Sequence, residues 1–96
     1  MYKYIVIIHD LYFDNYRAFA QCNTKREINR YVYRYCHNEE EAIVIDVAAG
    51  ILTEVFEKKD FEFRHLNLLS HNAFITIEQI GLTWKRCQEL AKEGYR

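Results

Sequence analysis

The four consecutive β-branched residues Ile5-Val6-Ile7-Ile8 constrain this chain more than any other stretch. Successive side chains of a strand point to opposite faces, so a run without a polar member leaves both faces apolar. Such a strand is covered on both sides or lies centrally in a sheet. The whole stretch 3–9, bounded by Lys3 and His9, reads this way.

The later segments supply partners for it. Asp14-Asn15 is a turn signal, after which Tyr16, Ala18, Ala20 and Cys22 alternate with Arg17, Phe19 and Gln21. That pattern predicts a returning strand, with a short helix over residues 11–19 as the competing reading. Residues 24–37 have helical spacing: Ile28, Tyr31, Val32 and Tyr35 form one stripe with Cys36 at its edge. Thr24 and Glu27 make a capping box, Arg34 and His37 fall in the last turn, and Asn38 suits a left-handed closing residue. Beyond the acidic run Glu39-Glu40-Glu41, residues 42–48 and 51–57 read as strands joined at Ala49-Gly50. Lys58-Lys59-Asp60 is a second turn, and residues 61–67 alternate again. A last helix is expected from Thr76, which pairs with Gln79 as a capping box, with Ile75 and Ile80 as a hydrophobic staple. Its stripe is Ile77, Ile80, Trp84, Cys87 and Ala91, and Gly94 is its natural stop. Gly81 is the weak point, since an interior glycine costs about 1 kcal/mol relative to alanine. Two readings stay open there: one continuous helix, or a helix broken at Gly81 with Thr83 capping a second piece.

Ninety-six residues without linker, repeat or low-complexity tract make one domain, residues 1–96. The expected fold is α+β, in the order β-(β)-α-β-β-β-α: a mainly antiparallel sheet of 4–5 strands with both helices on one face. The longest apolar run is too short to span a bilayer, and the N-terminus lacks a signal-peptide layout, so a cytoplasmic protein without a membrane partner is expected. Cys22, Cys36 and Cys87 are odd in number and widely spaced, which fits reduced thiols. Eight Tyr, six Phe, many Ile and Asn and no Pro are a bias of AT-rich genomes, phages and mobile elements among them.

The chemistry-bearing residues concentrate on the outer side of the first helix, where Arg26, Arg30, Tyr33 and His37 share a face with Arg34 nearby. Arginine forks grip carboxylates and phosphates, and a tyrosine among them adds contact area at low entropy cost. The bland alternative is a solvated face whose arginines pair locally with Glu27 or with Glu39 to Glu41. A formal charge of −1 supplies no global attraction to nucleic acid. Trp84 sits on the apolar stripe and reads as a core anchor. A helix-turn-helix around Gly81, with Lys85 and Arg86 opening a second helix, is the weaker alternative. His9, His65 and His71 would need Cys22 or Cys87 to complete a zinc site, and no spaced metal motif is present. Asp46 and Glu54 face each other across the expected hairpin and read as its solvated side. No nucleophile elbow or phosphate loop occurs. No enzyme, cofactor or metal is expected.

The resulting expectation is a small non-enzymatic protein that binds another protein stoichiometrically through Arg26, Arg30, Tyr33, Arg34 and His37. A phage- or mobile-element-encoded inhibitor or regulator of a host defence or replication factor fits that size. The alternative is a nucleic-acid-binding module using the same face. A homodimer through a sheet edge or the second helix is compatible with either.

Overall fold

The computed structural model describes residues 2–71 and 74–93. The chain forms β1 (Tyr4–Asp10), β2 (Asn15–Cys22), α1 (Lys25–Tyr35), β3 (Glu40–Asp46), β4 (Ile51–Lys59), β5 (Glu62–Asn67) and α2 (Trp84–Glu93), with 3-10 turns at Leu69–His71 and Glu78–Ile80. The five strands make one antiparallel sheet in the order β2-β1-β3-β4-β5. Since β2 and β3 both run antiparallel to β1, they are parallel to each other, and α1 is the crossover that carries the chain over β1. The α+β architecture and the element order agree with the sequence reading, and the second segment is a strand rather than a helix.

The placement of the helices does not agree with it. Val6 and Ile8 of β1 pack with Ala42 and Val44 of β3, Phe56 of β4, Ile28 and Val32 of α1 and Cys36 just after it. Ile5 and Ile7, with Ile43, Ile45 and Leu52, turn the other way and meet Ile77, Leu82 and Cys87. The two helices therefore cover opposite faces of the sheet, not one. The cause lies in β1 itself: Ile5, Val6, Ile7 and Ile8 are all buried, which requires cover on both sides.

The helix ends carry most of the remaining corrections. At the start of α1, Thr24 Oγ1 accepts from the Glu27 amide at 3.2 Å, as a capping box requires, while the Glu27 carboxylate faces the Asn23 amide at 3.5 Å. At its other end α1 stops at Tyr35, with Cys36 extended at ψ 112 as the cap. His37 thus lies beyond the helix, and the left-handed residue is Glu39 (φ 65), not Asn38. Asn38 instead accepts a bond from the Phe61 amide at 2.9 Å, tying this loop to the β4–β5 turn.

The last helix does break at Gly81, which is left-handed at φ 82. Thr83 Oγ1 caps the following piece by accepting from the Arg86 amide at 3.1 Å. The piece before the break is only a 3-10 turn, so no helix-turn-helix forms. Trp84 is a partly buried member of the second core cluster and lies over the β3–β4 turn at Gly50. The expected stop at Gly94 is outside the described residues. Among those described, no helix is long and apolar enough to cross a membrane.

Candidate functional site

The outer face of α1 follows from its inner one. Ile28 and Val32 are fully buried, which at 100° per residue turns Arg26, Arg30, Tyr33 and Arg34 outward. All four are exposed. Among the described residues, none of the three arginines forms an ion pair, so local neutralisation by Glu27 or by Glu39 to Glu41 does not occur. Glu40 is instead buried and accepts from the His37 amide at 2.7 Å, with the His37 ring 3.7 Å away. His37 consequently belongs to the loop after α1 rather than to the arginine face.

Tyr33 is not purely solvated. Its ring packs edge-on against Phe63 of β5 at 4.7 Å, and Lys58 Nζ lies 5.1 Å from the centre of the same Phe63 ring. The result is a small aromatic centre beside the arginines. On the other flank, Tyr31 and Tyr35 stack at 5.8 Å, and the Arg34 guanidinium lies 5.4 Å from the Tyr35 ring. Arg30, Tyr31, Arg34 and Tyr35 line a cleft of about 280 Å³. Sequence periodicity placed Tyr31 and Tyr35 on the apolar stripe. They are in fact half-buried at its edge, where a tyrosine can pack its ring and leave its hydroxyl toward water.

Arg30 and Arg34 stand one helical turn apart, an arrangement of like charges that costs an isolated helix about 0.2–0.5 kcal/mol. Two guanidinium forks lining one cleft with two tyrosines, Arg34 lying over the Tyr35 ring, can bind a carboxylate or a phosphate, with the planar groups fixing its orientation. Nothing in the arrangement supplies a nucleophile. Cys22 is pushed up to about 11 by burial and, less strongly, by Glu27, and burial raises Cys87 as well. Both thiols are therefore held protonated in the core.

Two further ionisable clusters escaped the sequence reading. On the β3–β4 ladder Asp46 pairs with Ile51, not with Glu54, and a bulge between Val44 and Ile45 sets Glu54 rather than Thr53 opposite Val44. Glu54 is buried on the α1 face, where it accepts from Lys25 Nζ at 2.8 Å and lies 2.9 Å from His65 Nε2. His65 also stacks on Phe56 at 4.4 Å. This cluster pins the start of α1 to the sheet. Simple alternation could not reveal it, because the extra residue of the bulge inverts the facing of Glu54.

On the opposite face, His9 lies between two carboxylates: Nδ1 is 2.9 Å from Glu41 and Nε2 is 2.6 Å from Asp14. It also stacks on Tyr16 at 4.6 Å. Burial alone lowers the His9 pKa, but the hydrogen bonds and charges of Glu41 and Asp14 outweigh it and hold the ring above its ordinary 6.5. His9 and His65 thus lie on opposite faces, and Asp46 pairs with Tyr4 at the far end of β1. The side chain of His71 is outside the described set. Among the described residues no group of three or more His, Cys, Asp or Glu is arranged to hold a metal ion. Compared with protein-family models, with curated proteins and with solved structures, the chain matches none of them.

Proposed function

We propose that this protein acts without catalysis, by stoichiometric binding of another protein through the outer face of α1. The observation that carries the reading is the set Arg26, Arg30 and Arg34, three exposed arginines without a carboxylate partner among the described residues. They adjoin an exposed Tyr33 seated on Phe63. Arginine and tyrosine grouped around an aromatic contact are residue types enriched among the energetic hot spots of protein interfaces. The partner would present acidic side chains to the Arg30–Arg34 cleft and an apolar or aromatic group to Tyr33 and Phe63. Occlusion of a partner's working surface, as in an inhibitor or regulator, suits a domain of this size.

Nucleic acid is the second reading, favoured by the same unpaired arginines beside tyrosine rings that could stack on bases. A salt titration separates the two. Phosphate binding weakens steeply as salt rises because counterions are released, whereas an interface with an aromatic centre does not follow that law. Labelled single-stranded and duplex nucleic acid should show no shift with the purified chain at low salt. A salt-sensitive shift abolished by R30A would replace the protein-binding reading.

A further inference from the structure

We propose that the His9 imidazolium is a pH-operated latch, which clasps Asp14 and Glu41 while charged and releases the far side of the β1–β2 turn when it loses a proton to solvent. This inference is independent of the α1 face. It begins with donor and acceptor counting. A neutral imidazole has one N–H and one lone pair, while each carboxylate only accepts. His9 has a carboxylate oxygen within hydrogen-bond distance of each ring nitrogen, 2.9 Å at Nδ1 and 2.6 Å at Nε2. Both contacts are bonds only when both nitrogens carry protons.

The three groups come from different segments. His9 is on β1, Asp14 is in the following turn, and Glu41 is on β3 directly across from His9. The surroundings sharpen the effect, because a lateral row runs across the whole sheet at this level: Tyr16 of β2, His9, Glu41, Glu57 of β4 and Arg64 of β5. Glu41 therefore has Glu57 on one side and His9 on the other, and loss of the His9 charge leaves two carboxylates as cross-strand neighbours, an unfavourable pairing. Asp10 adjoins His9 in the chain but spends a carboxylate oxygen on the Tyr12 and Phe13 amides at 2.8 and 2.9 Å. From the layer above, the Tyr16 hydroxyl donates to the Ile80 carbonyl at 3.1 Å, and α2 brings the Cys87 thiol toward Tyr16.

Asp14 is the carboxylate that lets go. Its side chain is 87% exposed against 21% for Glu41, so it exchanges the His9 bond for water at less cost than Glu41 does. Asp14 is also left-handed at φ 51, a conformation that the His9 bond helps to hold. The near side of the turn stays capped by Asp10, so the loosening falls on residue 14 and on the Asp10–Asn15 pair that opens β2. The turn displays Tyr12 and Phe13, 81% and 73% exposed, so the latch sets how firmly two aromatic side chains are presented.

Imidazole ¹⁵N–¹H NMR of the intact chain tests this. At about pH 6 both His9 ring nitrogens should be protonated, and the ring should titrate above 6.5. The amides of Asp14 and Asn15 should shift with that same midpoint, and their hydrogen exchange, corrected for its intrinsic pH dependence, should rise several-fold above it, while the Phe13 amide stays held by Asp10. D14N should lower the midpoint and make those amides exchange fast at both ends of the titration. E41Q should also lower the midpoint, which gives a second variant if D14N folds poorly. A His9 midpoint at or below 6.5, a single protonated ring nitrogen at pH 6, or turn amides indifferent to the His9 titration would each overturn the latch.

Discussion

At the scale of single residues, the molecule keeps side chains that local stability would not choose. Phe61 is left-handed at φ 63 and 81% exposed, directly after Asp60 at φ 52. Two consecutive positive φ values are what a tight hairpin turn of this kind demands, and Asp-Gly is its natural pair. A large L-residue in that conformation costs about 1–2 kcal/mol. F61G should therefore stabilise the protein by about 1 kcal/mol in urea denaturation, even though it deletes a large apolar side chain. His9 makes the opposite kind of contribution, and its sign follows from the raised pKa. A group that binds its proton more tightly folded than unfolded stabilises fully below its unfolded value near 6.5. That contribution is lost as pH rises through the folded midpoint. The stability advantage of the native chain over H9Q should be largest at acidic pH and shrink across that midpoint. Because Asp14 is exposed, solvent screening keeps its share small.

At the scale of elements, much was legible because the signals are local. The strand run 5–8, the Thr24–Glu27 cap, the positive φ at Gly50 and the weak point at Gly81 each depend on a few adjacent residues. The errors came where an element answers to something distant. Last-turn cations and Asn38 point to a helix end near His37, yet the chain leaves the helix at Cys36, and His37 and Glu40 bond across the loop. Simple alternation puts Glu54 on the solvated side because it assumes no bulge, and the bulge turns it inward toward Lys25 and His65. The two glycines offer an element-scale check. A Cβ on Gly50 would sit 3.6 Å from the Trp84 ring, an ordinary contact, and one on Gly81 would meet nothing within 4 Å. Steric room is thus available at both, and only the backbone conformation opposes a side chain. G50A and G81A should each lose about 1–2 kcal/mol by urea denaturation, of similar size despite their different surroundings. A much larger loss at Gly50 would mean that the turn and Trp84 fit more tightly than this spacing implies.

At the scale of the whole molecule, the two apolar faces of β1 decide the architecture, since a strand buried on both sides needs a layer on each. With α1 on one face and α2 on the other, the arginine surface and the His9 row are separated by the thickness of the sheet. The two can therefore be altered independently. The candidate site was legible in the sequence as far as Arg26, Arg30, Tyr33 and Arg34, because a helix face needs only periodicity. The support of Tyr33 by Phe63 and the cleft with Tyr31 and Tyr35 depend on tertiary packing, which periodicity does not encode. The central claim is that the outer face of α1 binds a protein and contributes little to the fold. The direct measurement is affinity capture with the native chain and with the R30A/Y33A double variant, at low and at high salt. Both chains must first be shown to fold. The variant should lose only about 1 kcal/mol of stability, the worth of the Tyr33–Phe63 pair, since Arg30 forms no ion pair among the described residues. The account predicts that the native chain retains a protein in fixed stoichiometry at both salts and that the folded variant does not. Retention of the same partner by the variant, or capture of nucleic acid that vanishes as salt rises, would contradict it.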